Sequence, residues 1–113
     1  MALSLHQAII PNWLQVLGAV DGLLDKAESF VADGHAEEKA LLETRLADDM
    51  LPLAYQFKSC WTHTHLALEG ARKGHFSPDM NPYPEDFESL REMIATARKT
   101  CEGMDEDALE TIA

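Results

Sequence analysis

The longest periodic pattern in the chain runs from Ser4 to about Ala32, where Ile9, Trp13, Val16, Leu17, Val20, Leu23, Leu24, Ala27 and Val31 return at three- and four-residue steps. That spacing puts them on one face of an α-helix, opposite Asn12, Gln15, Asp25 and Lys26, with Leu14 the exception. A long helix with one apolar stripe is covered only by packing against other elements, so the pattern commits the chain to a multi-helix core. Ser4 is placed to cap the first turn, and Asp33-Gly34 supplies the stop. Pro11 falls inside the pattern, where its missing amide predicts either a kink or a helix that properly begins there.

The same period recurs twice more. Met50, Leu53, Phe57, Cys60, Trp61, Thr64, Leu68 and Ala71 form a second stripe, opened by Asp48 or Asp49 as cap with Pro52 in the first turn, and ending near Gly70 or Gly74. Phe87, Leu90, Ile94, Ala97 and Cys101 form a third, capped by Asp86 or Glu85 and ended at Glu102-Gly103, with Met93 and Met104 at its margin. Between the first two lies AEEKALLETRL, predicted as a short helix or ordered connector. HFSPDMNPYPEDF, with three prolines, is predicted to cross the surface between layers. After Gly103 there is room for at most a short helical turn. No strand-like alternation appears, so the expected architecture is all-α: one domain over residues 1–113, an antiparallel up-down bundle with three long helices.

Charge narrows the function classes. Nine Lys and Arg stand against 20 Asp and Glu, a net charge of −11, which argues against nucleic acid and against an anionic membrane surface. No apolar stretch suits a membrane span, and MALSLHQAII lacks the basic start of a secretory leader, so the expected location is cytoplasmic. Cys60 and Cys101 both fall on apolar helix faces and are expected to be free, buried thiols.

SLHQAIIPNWLQVLGAVDGLLDKAE, then LLETRLADDMLPLAYQF, then the proline-rich stretch leading to FESLREMIATARKT, resemble a branch of the DinB-like superfamily of helical bundles whose function is uncharacterised. RLADDMLPLAYQ is the most specific piece, and the likeness runs over nearly the whole chain. The resemblance implies a four-helix bundle, often dimeric. In better-known branches it also implies a divalent metal such as zinc or nickel, held by three histidines in thiol-dependent transferases or isomerases acting on small molecules. Of those ligands one comes from the second helix and two from nearer the C-terminus. Ala113 falls about where this branch would continue toward its last helix, so the resemblance places that C-terminal pair outside this chain.

The residues themselves offer one candidate cluster. Gln56, Cys60 and His63 follow at four- and three-residue steps along one edge of the second helix, and His6 is in phase with Trp13, Leu17 and Leu24. A Cys and a His one turn apart can share a Zn²⁺, but further ligands would have to come from His6 or an acid. The competing reading is a buried thiol and a helix-edge histidine with ordinary packing roles. His35, His65 and His75 read as solvated surface, and Trp13, Phe57, Trp61 and Phe87 as core. Three stripes this wide leave part of a seam facing water, which predicts either a homodimer that completes the bundle or a fourth helix not in this chain. The leading expectation is a small homodimeric bundle with no assigned reaction. Its alternatives are the metal- and thiol-dependent enzyme and an acidic module that binds a basic protein partner.

Overall fold

The computed structural model describes residues 2–112, with the side chain of Ile112 outside the description. The chain forms α1 (Leu5–Ala32), α2 (Glu38–Leu42), α3 (Leu53–Trp61), a π-helical turn (Thr62–Leu66), α4 (Ala67–Lys73), α5 (Phe87–Glu102) and α6 (Glu106–Ile112). The body is elongated, 51 × 26 × 23 Å, because α1 alone is about 42 Å long at 1.5 Å per residue. Ser4 caps α1 as its sequence predicts: its hydroxyl accepts from the Gln7 amide while the Gln7 side chain accepts from the Ser4 amide, each at 3.1 Å. The helix continues through Pro11 and stops at Asp33, where Gly34 turns the chain with φ +83°. Asp86 caps α5 by accepting from the Ser89 amide at 2.7 Å, and all five predicted core residues of α5 are buried.

α5 is the centre of the structure. Ile10, Leu17, Val20 and Leu24 of α1 and Ala54 and Phe57 of α3 are buried in one core with Phe87, Leu90, Ile94, Ala97 and Cys101. Helix directions follow from the cross-helix pairs. Asp21 meets Arg98, while Asp25 and Glu28 meet Arg91, so α1 and α5 are antiparallel. His65 meets Thr100, Arg72 meets Met104, and both α3 and α5 begin beside α2, so the α3–α4 rod and α5 run in parallel. The strict up-down order expected from the stripes is therefore broken between these two. Residues 74–86 supply the return path, lying back along the rod as a strap: His75 and Phe76 pass Gly70, Asp79 and Asn81 reach Lys58, and Tyr83 meets Tyr55 edge-on.

Several expectations about the second stripe change. Asp48 and Asp49 are exposed turn residues and not caps; α3 starts at Leu53 with Pro52 in the cap position, which leaves Met50 exposed. The connector helix is confined to Glu38–Leu42. The π turn carries an extra residue per turn, and there Thr62 and Thr64 bond back to the carbonyls of Lys58 and Cys60 at 3.2 and 2.6 Å. The phase slips accordingly, so that Gly70 is buried and Ala71 is exposed. His65 is half-buried, stacked on Trp61 and 2.7 Å from the Thr100 hydroxyl, and not solvated surface. Met104 is fully buried rather than marginal. The tail folds as seven residues of helix with Leu109 buried, longer than the single turn expected.

Gly70 shows how closely the strap is seated. A Cβ there would lie 2.7 Å from the His75 carbonyl oxygen and 2.9 Å from the Phe76 Cβ. Gly70→Ala gains about 1 kcal/mol of helix propensity, but the overlap with backbone requires displacement, with an overpacking penalty of about 1–3 kcal/mol. The expected net result is a melting temperature lowered by about 4 °C; a raised one in thermal unfolding would show that the strap does not rest on α4.

Candidate functional site

Because α1 and α3 pack on α5 from two sides and touch each other little, a trough remains between them. One wall is Val20, Leu23, Ala27 and Phe30 of α1; the other is Leu53, Gln56, Phe57 and Cys60 of α3; Leu41 of α2 closes the end, and Lys26 stands at the rim. Its volume is about 480 Å³, within the range of small-molecule and helix-binding clefts. None of these lining residues is acidic, although the chain carries 20 Asp and Glu. The acids on this half of α1 turn away: Asp21, Asp25 and Glu28 all point to Arg91, at 3.1, 2.9 and 3.0 Å. Hydrogen bonding to Glu28, then to Asp25, holds the Arg91 guanidinium above its ordinary range, fixing it as a cation.

The exposed apolar residues of α1 lie on one line. Ile9, Val16, Leu23 and Phe30 are seven residues apart, two helical turns. Ile9 is half-buried, whereas Val16, Leu23 and Phe30 keep 57%, 54% and 45% of their surface in water. Ile9 packs against the core, and α6 lies beside the start of α1: the Ser4 hydroxyl donates to Glu106 at 3.0 Å and the Leu5 amide to Glu110 at 2.9 Å. A helix thus occupies one end of the lane over α1, and the rest of the lane is the open trough.

The structure separates the four residues singled out from sequence. Gln56 and Cys60 share the trough wall, the Cys60 thiol donating to the Gln56 carbonyl at 3.5 Å and the Gln56 side-chain amide to the Leu51 carbonyl at 3.1 Å. His63 is exposed and meets the edge of Phe76, on the strap side of the rod. His6 is half-buried in the first turn of α1, at the end occupied by α6. Among the described residues no three His, Cys, Asp or Glu side chains group closely enough to hold a metal ion. Burial pushes the Cys60 thiol up, with partial relief from the backbone amide of Cys60 itself, and burial followed by the Glu102 charge pushes Cys101 up; both cysteines are free. A raised thiol is a weak nucleophile, so neither is primed for covalent chemistry.

Sequence reasoning missed Phe30 as a trough residue and Lys58 as a buried one. The seven-residue return of Val16 and Leu23 carries the signal for Phe30, since it draws a line beyond the arc that one neighbouring helix covers. Among the described residues no helix is long and apolar enough to cross a membrane. A family model described as a domain of unknown function, DUF1993, matches residues 5–113. No curated protein and no solved structure matches the chain.

Proposed function

We propose that this chain, which belongs to the DUF1993 family, is a non-catalytic helical-bundle protein of the DinB-like kind that acts as a small homodimer. The observation that carries the reading is the open, acid-free trough beside Val16, Leu23 and Phe30. An apolar lane with one end already filled by α6 favours a helix as occupant, and a second copy supplies one of matching polarity. The acid-free lining also speaks against charge-driven capture of a basic partner at this place.

Sedimentation equilibrium on metal-stripped protein is expected to give twice the 12.6 kDa chain mass, with no change on adding Zn²⁺ or Ni²⁺. A monomer at every concentration would refute the reading. Uptake of one ion per chain, lost in His63→Ala, would replace it with the metal- and thiol-dependent transferase.

A further inference from the structure

We infer that the two copies meet with α1 against α1 in antiparallel register, Leu23 lying at the two-fold axis. This rests on the self-association proposed above and adds its orientation and its contact residues.

Charge is the first support. Two chains of net charge −11 repel one another at most approaches. At the trough, however, the lining holds no acid and one lysine, Lys26, while the α1 carboxylates are drawn to Arg91 on the other side. Contact between two such faces sets no lining carboxylate against another. A ridge and a slot lie on the same surface, the arrangement an isologous contact uses: Val16, Leu23 and Phe30 stand exposed beside a slot walled by Leu53, Gln56 and Cys60.

Direction follows from α6. A parallel approach would drive the first turns of the second α1 into the lane where α6 bonds Ser4 and Leu5. An antiparallel approach clears it. The ridge is symmetric in spacing, with Val16 and Phe30 each seven residues from Leu23, so antiparallel pairing about Leu23 sets Val16 of one copy against Phe30 of the other. Over that overlap each ridge enters the other copy's slot, and both α6 segments remain outside.

Cross-linking tests the register. In a Cys60→Ser background, with buried Cys101 retained, Leu23→Cys, Val16→Cys and Phe30→Cys are each treated with a short bis-maleimide, alone and as a Val16→Cys plus Phe30→Cys mixture. All three positions are partly exposed in the single chain, so the substitutions leave the core untouched. The expected result is linkage of Leu23→Cys to itself and of the mixture, and none for Val16→Cys alone, whose two thiols would be about 21 Å apart along the axis at 1.5 Å per residue. The same samples are sedimented. A dimer in which Val16→Cys links to itself would overturn the antiparallel register while sparing self-association. A dimer that links at none of these positions would overturn this face. A monomer would overturn both the inference and the reading beneath it.

Discussion

Replacing Lys58 by alanine should lower the free energy of unfolding by about 3 kcal/mol, a large part of the 5–15 kcal/mol that a domain holds in total. Lys58 lies on the face of α3 covered by the strap, its side chain only 3% exposed, 3.1 Å from the Asp79 carboxylate and 2.5 Å from the Asn81 carbonyl oxygen. An ammonium at such a place is stable only because both partners are present, and removing it strands a carboxylate and a carbonyl in a nearly dry seam. The 14% exposure of Asp79 keeps the expected loss at the low end for a broken buried pair. Urea unfolding with an unchanged m-value is the measurement; a loss below about 1 kcal/mol, the size of a surface ion pair, would show that the strap contributes little.

The same latch has a pH signature. The Asn81 amide, donating at 2.9 Å, is the chief cause that holds the Asp79 carboxyl below its ordinary range, with Lys58 adding to it against the effect of burial. A carboxylate whose folded pKa is depressed gives stability that is fully present above its unfolded value of about 4 and is lost as pH falls below it. The gap in stability between wild type and Asp79→Asn should therefore be constant from pH 7 to about 5 and narrow in more acid solution.

Lys58 also marks where the sequence stops being legible. The cap at Ser4, the stop at Gly34 and the five-residue core face of α5 rest on interactions within a few residues, so period and residue type are enough to place them. The strap rests on contacts such as Lys58–Asn81, 23 residues apart, and its prolines carry no period from which its path could be read. Without that path, the outer face of the rod looks solvated, and α5 looks antiparallel to it. The π turn hides in the same way: two threonines that bond back to carbonyls turn His65 toward Thr100, and a count at 3.6 residues per turn misses the slip. Of the candidate cluster, Gln56 and Cys60 share the trough wall and precede that turn. His63 falls within it and ends against Phe76. Stripe width predicts an uncovered seam, but the residues it exposes follow from how α1 and α3 pack on α5, which no local pattern states.

Substituting Leu23 by glutamate should dissociate the proposed dimer while leaving the single chain folded. The proposed two-fold contact would contain the change twice. A hot-spot residue at the centre of an interface contributes about 2 kcal/mol or more, so with Leu23 in that place twice the change weakens association by about 4 kcal/mol, roughly a thousandfold in Kd. Glutamate adds two carboxylates facing each other where the lining otherwise carries none, in a seam too apolar to screen them well. Because Leu23 keeps 54% of its surface in water within the single chain, its far-UV circular dichroism and dilute-solution melting should match wild type. Leu23→Lys separates the causes. If the net charge of −11 governed association, a lysine would strengthen it; if apolar fit governs, lysine also weakens it, and added salt restores little in either variant. A Leu23→Glu protein that sediments as the wild-type dimer would remove α1 from the interface, and with it the role assigned to the trough.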